Sequence, residues 1–294
     1  MSVSPSDFQF IRELVRREAA IVLEDGKEYL VETRLSALAR TEGYNSATEL
    51  IQAVRSKVRG TLNYRVVDAM TTNETSFLRD ATPFQAIARK ILPELAQKRT
   101  VRRELAIWSA ACSTGQEPYS LAMLLKEHQP PLLGWHLRLV ASDISQRVLE
   151  RGRHGRYQAH EINRGLNPSL IAKYFQQEGD EWQAKAEVRS MIDWFEINLI
   201  RSWPVLPKFD LILLRNVMIY FDVPTKKQIL AKMQQLLQPD GYLLMGAGES
   251  ATSLDESYEP VDFQGVSFYR LKARKRPPVV VPSIPALLAT PTRT

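Results

Sequence analysis

Hydrophobic positions in the first eighty residues recur with a helical period and show no strand-like alternation. Ser4-Pro5-Ser6-Asp7 has an N-cap residue followed by proline and an acid, which is typical of a helix start. The pattern predicts this first helix, a second over about 27–42, a third from Ser46 to near Gly60 and a fourth through Leu62 to Met70. We therefore expect an all-helical domain at 1–78.

Beyond residue 80 the pattern changes to short apolar runs that alternate with helical stretches, the first of which opens at Pro83. The runs are LAIWSAA (105–111), LRLVASD (137–143), FDLILLRN (209–216) and GYLLMGAGE (241–249). Nearly continuous apolar strands separated by helices predict a doubly wound, mostly parallel sheet, hence an α/β domain at 79–272. FQGVSFYRL (263–271) has the pattern of a final, antiparallel edge strand.

Two segments depart from this alternation. Between about Gly152 and Asn198 there is a short helix, polar sequence and the strand-like IDWFEIN (192–198), which we interpret as an inserted small antiparallel β subdomain at about 153–197. The tail, 273–294, is proline-rich without periodicity and is predicted to be disordered.

Composition places the chain among ordinary globular proteins: 294 residues, 44% hydrophobic and 24% charged. No apolar run approaches the roughly eighteen residues that a membrane span requires, so no membrane insertion is expected. MSVSPSDF lacks the pattern of a signal peptide. The single cysteine, Cys112, excludes an internal disulfide framework and favours a cytoplasmic location.

The net charge of +6 is concentrated in the tail. Five basic residues and no acids lie from Lys272 onward, which leaves +1 for the rest of the chain. A nucleic-acid partner is therefore not expected. No metal site is expected either, because the four histidines lack cysteine partners and ligand-like spacing.

The segment 105–143 has the pattern of a ligand site. One predicted strand ends in the small residues Ala110 to Gly115, and the next strand ends in Asp143. Small residues let a ligand approach the backbone, and an acid at the second strand fits two ribose hydroxyls. The loop lacks G-x-G-x-x-G and G-K-[ST], and Glu117 would repel phosphate but suit a cation. By itself the loop fits a nucleotide, S-adenosylmethionine or only a tight turn.

Two further segments contain candidate site residues, each with a structural alternative. TTNETSFLRD (71–80) joins the two predicted domains and is either a solvated linker or one wall of a cleft. In RNVMIYF (215–221), Arg215 and Asn216 end a strand, where open α/β sheets bind ligands. Tyr220 could reach the same cleft or simply pack.

Together, TTNETSFLRD, SAACSTGQEPYS (109–120) and RNVMIYF resemble the CheR-type chemotaxis receptor methyltransferases, in the same order and over about residues 6–272. The resemblance implies a Rossmann-like class I methyltransferase that uses S-adenosylmethionine, with S-adenosylhomocysteine as product. It further implies glutamate esterification on the cytoplasmic helices of chemoreceptors. The substrate-orienting pair it implies is Arg79 and Tyr220. The cofactor site it implies comprises Asn73, Thr75, Arg79, Glu117, Asp143, Asn198, Leu199, Arg215 and Asn216.

Some positions differ from the family pattern. Leu78 stands where an aromatic is common and Gln116 where an acid is common, and neither change removes an expected ligand group. The insertion has a short turn with a single Gly179, so we do not expect it to dock a receptor pentapeptide by strand addition. Arg34 and Arg40 are candidates for contact with an acidic receptor helix, with surface charge pairing as the alternative.

Two other functions remain possible from the sequence. One is a methyltransferase acting on nucleic acid, which the missing basic face and the RNVMIYF segment disfavour. The other is a non-catalytic module that senses the cofactor, which the presence of both Arg79 and Tyr220 disfavours.

Overall fold

The computed structural model describes residues 3–56, 60–127, 132 and 134–273. Its N-terminal part contains four helices: α1 (Pro5–Ala19), α2 (Glu28–Thr41), α3 (Ala47–Ser56) and α4 (Thr61–Met70). Ser4 caps α1, since its hydroxyl accepts a hydrogen bond of 3.1 Å from the Asp7 N–H. The four helices pack around a core of their own, which includes Ile11, Leu35 and Val66.

One long helical segment leads into the second part of the chain, as the pattern from Pro83 predicts. It comprises α5 (Ala81–Ala86), a π-helical turn (Ile87–Ile91) and α6 (Leu92–Lys98). Pro93 near the start of α6 has no N–H to donate, so the α-helical bonding is interrupted beside the wider turn.

A seven-stranded sheet forms the centre of the second part. Its strands are β1 (Glu104–Ala110), β2 (His136–Asp143), β6 (Ile192–Glu196), β7 (Phe209–Leu214), β8 (Leu237–Met245), β9 (Tyr258–Phe263) and β10 (Val266–Leu271). They lie in the order β6-β2-β1-β7-β8-β10-β9. The first five are mutually parallel, and β10 is antiparallel to both of its neighbours. The doubly wound, mostly parallel sheet is thus confirmed, with helices α7 (Gln116–Glu127), α8 (Gln146–His154) and α12 (Val223–Leu236) between strands.

The edge of the sheet differs from the prediction. β10 is antiparallel as expected, but β9 forms the edge and β10 lies inside it. β9 was not predicted because its sequence, YEPVDF, has no apolar run, and only Tyr258 among its residues is buried. Pro260 is compatible with an edge strand, where no partner requires its missing N–H on the outer side.

The insertion contains a three-stranded antiparallel sheet in the order β3-β5-β4. Its elements are β3 (Arg156–Gln158), α9 (Ala159–Asn163), α10 (Pro168–Tyr174), β4 (Phe175–Glu178), β5 (Glu181–Ala184) and α11 (Ala186–Arg189). The predicted antiparallel subdomain is therefore present, but it ends before β6. The strand-like IDWFEIN pairs in parallel with β2, Ile192 opposite Leu139, because periodicity alone does not say which sheet a strand joins.

The helical part covers the carboxyl ends of the parallel strands. Tyr64 donates a 3.0 Å hydrogen bond to the Ile144 carbonyl after β2, and the Val22 N–H donates 2.9 Å to the Tyr220 carbonyl after β7. No helix among the described residues is long and apolar enough to cross a bilayer. Apart from Ala273, the tail predicted to be disordered lies outside the described residues.

Candidate active site

The loop between β1 and α7 is held in a tightly curved conformation. Ala111, Ser113 and Gly115 all have positive φ, at 55°, 53° and 95°. The Cys112 N–H donates 2.9 Å to the Ser142 carbonyl, which ties the loop to the end of β2. Left-handed conformations in residues other than glycine cost energy and persist where the surroundings impose them. The loop therefore presents a fixed backbone surface at the carboxyl ends of the parallel strands.

Asp143, at the end of β2, lies beside this loop and is 6% exposed. Its carboxylate accepts hydrogen bonds from the Ser113 N–H at 2.9 Å and the Ser145 N–H at 3.0 Å. Burial nevertheless raises the pKa of Asp143, because desolvation penalises the charged form more than these bonds favour it. The carboxylate has further lone pairs with which to accept a ligand's hydroxyl groups.

A buried ion pair joins α7 to the end of β7. Arg215 Nη1 donates to Glu117 Oε2 at 3.0 Å, while Nη2 donates to Asp80 Oδ2 and the Arg79 carbonyl, each at 3.0 Å. Ser109 donates a 2.7 Å hydrogen bond to the other Glu117 oxygen. One guanidinium against two carboxylates leaves this cluster with a net negative charge, which favours a cationic group nearby.

The segment 71–80 is fixed from the helical side by Arg34. Its guanidinium donates to the Met70 carbonyl at 2.6 Å, the Thr71 carbonyl at 3.1 Å and the Thr72 hydroxyl at 3.0 Å. Burial lowers the pKa of Arg34. These bonds give Arg34 a role within the protein, and the receptor contact considered for Arg34 and Arg40 stays a prediction; Arg40 is exposed on α2.

The same segment contacts the loop between β1 and α7 and places Arg79. Ser113 donates a 2.8 Å hydrogen bond to the Asn73 carbonyl, and Leu78 and Asp80 on either side of Arg79 have φ of 48° and 56°. Arg79 Nη1 donates to the Glu74 carbonyl at 3.2 Å, its only side-chain hydrogen bond to the described part of the chain. Most of the guanidinium donors are thus available to a substrate.

Glu249 fixes the turn after β7, and sequence reasoning missed it. One of its oxygens accepts from the Gly246 N–H at 2.8 Å and the Asn216 N–H at 3.0 Å. The other accepts from Met218 at 2.8 Å and Ile219 at 3.3 Å. Asn216 adopts φ 57°, and a 3₁₀ turn over Met218–Tyr220 follows. Nothing in the local pattern of GAGES marks this acid as a backbone anchor.

One cavity is lined by Asp143, Glu117, Arg215 and Arg79, whereas Asp80, Arg34 and Glu249 support its walls without lining it. Every site residue inferred from the family resemblance lines it: Asn73, Thr75, Arg79, Glu117, Asp143, Asn198, Leu199, Arg215, Asn216 and Tyr220. Sequence reasoning missed apolar wall residues that lie at or just after helix or strand ends: Ala19, Ile21, Ile144, Ile197 and Phe221. The Asn198 amide is already bound to protein, since Nδ2 donates to the Glu18 carbonyl at 2.8 Å and Oδ1 accepts from the Ile200 N–H at 3.1 Å. Asn198 therefore holds the wall together, and Leu199 supplies apolar surface.

Three features of the cavity bear on what it can bind. The Asp143 carboxylate suits a diol, Glu117 with its net negative cluster suits a cation, and apolar residues such as Ile144 and Leu199 suit a flat ring. Arg79 and Tyr220 lie on the same cavity and can donate to an anionic acceptor.

Comparison with known proteins gives matches along most of the chain. Residues 6–71 match the family "CheR methyltransferase, all-alpha domain", and residues 73–266 match "CheR methyltransferase, SAM binding domain". The chain is 40% identical over 276 residues to chemotaxis protein methyltransferase 1 of Pseudomonas aeruginosa, covering 92% of this chain and 100% of that protein. It is 38% identical to chemotaxis protein methyltransferase Cher2 of Pseudomonas putida, with the same coverage. It is 39% identical to chemotaxis protein methyltransferase 1 of Vibrio cholerae, covering 92% of this chain and 99% of that protein.

Proposed function

Because the chain belongs to the CheR methyltransferase family, we propose that Arg79 and Tyr220 orient a receptor glutamate for methyl transfer within the cavity described above. The family membership establishes the reaction class: the protein is an S-adenosylmethionine-dependent methyltransferase that acts on chemoreceptors in chemotaxis. The roles of individual residues are our proposal.

The residues present fit the cofactor. We assign the ribose hydroxyls to Asp143, whose carboxylate can accept from both, and the flat adenine to apolar walls such as Ile144 and Leu199. We assign the cationic methionine portion to Glu117, which lines the cavity and belongs to the net negative Glu117–Arg215–Asp80 cluster, although Asp80 itself does not line the cavity. The small side chains of Ala111 and Ser113 allow close approach to the loop backbone. When bound, S-adenosylmethionine supplies an electrophilic methyl group on a sulfonium.

The protein has little acid–base work to do. A glutamate side chain is ionised at neutral pH, so its carboxylate attacks without a general base. Arg79 holds and aligns the carboxylate with its planar set of donors, and Tyr220 adds a hydrogen bond to the same group. The apolar walls and the covering helical part exclude water, which would otherwise weaken the nucleophile. Catalysis then rests on orientation and a partly dry site.

The observation that supports this assignment is the placement of Arg79 and Tyr220 on one cavity with Asp143 and Glu117, although the four lie far apart in sequence. The test is tritiated-methyl transfer onto receptor-enriched membranes, followed by mild alkali, which releases methanol from a glutamyl ester. Arg79→Ala should lower kcat about 100-fold, because misplacing the acceptor by an ångström has that effect. Tyr220→Phe should lower it about 10-fold, the value of one hydrogen bond.

Both variants should lose more turnover than affinity for S-adenosylhomocysteine, because Arg79 also lines the cofactor site. The matched controls are Arg102→Ala and Tyr258→Phe, which alter side chains outside the helical part that do not line the cavity, and both should transfer methyl groups at the wild-type rate. Unchanged kcat in both site variants would refute the assigned roles. Label that resists alkali, or that enters nucleic acid, would refute the glutamate acceptor.

We also propose that the two parts of the chain have different functions. Residues 1–78 bind the receptor, and residues 79–272 bind the cofactor and catalyse methyl transfer. The acceptors we propose are the cytoplasmic helices of chemoreceptors, which fits a cytoplasmic enzyme with one cysteine. We further propose that the short β4–β5 turn, with its single Gly179, does not bind a receptor pentapeptide. Equal activity on receptors with and without their C-terminal pentapeptide would support this.

A further inference from the structure

The inserted three-stranded subdomain contacts two of the polypeptide segments that line the cavity, although none of its own residues lines it. One contact reaches Thr114 in the loop between β1 and α7 (111–115), called the cofactor loop below. The other reaches Phe77, two residues before Arg79. The subdomain thus lies behind these two segments and outside the cavity.

Tyr157 on β3 makes both contacts. It is fully buried, and its hydroxyl donates a 2.7 Å hydrogen bond to the Thr114 carbonyl. Its ring packs edge-on against Phe77, with ring centroids 5.0 Å apart and planes at 80°. The hydroxyl therefore fixes the residue next to Ser113, whose N–H binds Asp143.

The Phe77 side chain is enclosed by the subdomain. Phe175 of β4 packs edge-on against it at 5.5 Å. Gly165, between α9 and α10, has φ 121°, and a Cβ placed there would lie 2.0 Å from the Phe77 carbonyl oxygen. No side chain larger than hydrogen fits at that position, so the loop after α9 lies directly against the Phe77 backbone.

If residue 157 served only to pack against Phe77, it would not need a hydroxyl, because phenylalanine would fill the same space. A buried hydroxyl requires a partner, and here the partner is a backbone carbonyl of the cofactor loop. The loop has positive φ at Ser113 and Gly115 on either side of Thr114 and needs such outside support.

We propose that the inserted subdomain positions two segments of the site, with Tyr157 as the positioning residue for the cofactor loop and Phe175 as the positioning residue for the Arg79 segment. The inference rests on the proposed cofactor and substrate roles of those two segments. It extends them because the packing of the subdomain then affects two quantities: cofactor affinity through Tyr157 and turnover through Phe175.

Two conservative variants separate these effects. Tyr157→Phe removes only the hydroxyl and should raise the Kd for S-adenosylhomocysteine about 5- to 10-fold, measured by titration calorimetry on the full chain. Phe175→Leu loosens the packing around Phe77 and should lower kcat about 5- to 10-fold, with the same Kd as the wild type. Methyl transfer to receptor-enriched membranes provides kcat and KM for each.

Matched controls distinguish positioning from general destabilisation. Tyr258→Phe removes an equally buried hydroxyl that donates to the Leu230 carbonyl at 2.9 Å, and Phe268→Leu alters a buried ring in the aromatic group with Tyr242 and Phe263. Both controls should lower thermal stability as much as the site variants while leaving Kd and kcat at wild-type values.

The proposal is overturned if Tyr157→Phe keeps the wild-type Kd, if Phe175→Leu keeps the wild-type kcat, or if each changes no more than its control. A wild-type protein that does not bind S-adenosylhomocysteine would instead refute the cofactor site itself, so the two failures are distinguishable.

Discussion

Replacing Glu249 by glutamine tests whether the turn after β7 depends on one side chain. The two carboxylate oxygens of Glu249 accept four backbone N–H groups, one pair from Asn216 and Gly246 and the other from Met218 and Ile219. A glutamine side chain offers one oxygen and one NH₂ group. One pair of N–H donors would then face another donor, and the charge that strengthened the remaining pair would be lost.

The geometry gives the expected size of the effect. Hydrogen bonds to a charged acceptor contribute roughly 1.5–3 kcal/mol each, so the loss of two costs roughly 3–6 kcal/mol when fully buried. Glu249 is half-buried, and water takes over part of the bonding. We therefore expect a loss of about 2–4 kcal/mol, part of it local to the turn that bears Asn216 and Tyr220.

The assays are thermal unfolding and methyl transfer. Glu249→Gln should lower Tm by roughly 4–8 °C and kcat/KM by about 10- to 100-fold, since each factor of ten corresponds to about 1.4 kcal/mol. Glu259→Gln, the same substitution at an exposed position of β9, is the control and should change neither quantity. If the two variants behave alike, Glu249 does not hold the turn and the reasoning is wrong.

Three further outcomes are expected. Burial raises the pKa of Asp143, and ribose hydroxyls donate to its ionised form, so protonation competes with binding: affinity for S-adenosylhomocysteine should fall as pH falls through this raised pKa. In calorimetric titrations Asp143→Asn should bind weakly at every pH, and a flat wild-type profile would contradict the assignment. Arg215→Met leaves buried Glu117 unpaired and should cost about 3–5 kcal/mol in urea unfolding, of which an added Glu117→Gln should restore part. No recovery in that double variant would show that the pair is not the cause. Gly165→Ala forces a Cβ against the Phe77 carbonyl and should lower the free energy of unfolding by about 2–5 kcal/mol. Gly179→Ala, where no atom would lie within 4 Å of the Cβ, should lower it by about 1 kcal/mol. Equal losses in the two variants would argue against the close approach at Gly165.

The fold could largely be predicted because its patterns are local. The face of each element that is buried determines where its hydrophobic residues fall. A helical period over the first seventy residues and apolar runs such as 209–214 can therefore be recognised from neighbouring positions. β9 escaped prediction because an exposed edge strand leaves no apolar run. The sequence also did not indicate which sheet β6 joins, because the half-buried residues of β6 would suit either sheet.

For the site, the motifs identified the residues but not their bonds. Arg34 has the appearance of a surface arginine in sequence, and only the folded chain shows it bound to the Met70 and Thr71 carbonyls. Glu117 suggested a cation site, yet its pairing with Arg215, 98 residues away, could not be inferred from spacing.

The sequence by itself determined the class of fold, the cofactor loop and the residues available for chemistry, because steric preference and burial act on neighbouring positions. The tertiary structure alone decided which carboxylate anchors the turn at Asn216, which arginine is structural, and that Tyr157 lies behind both Thr114 and Phe77. The physical reason is that hydrogen bonds and ring contacts act over a few ångströms between residues far apart in the chain, so they exist only once the fold has brought those residues together.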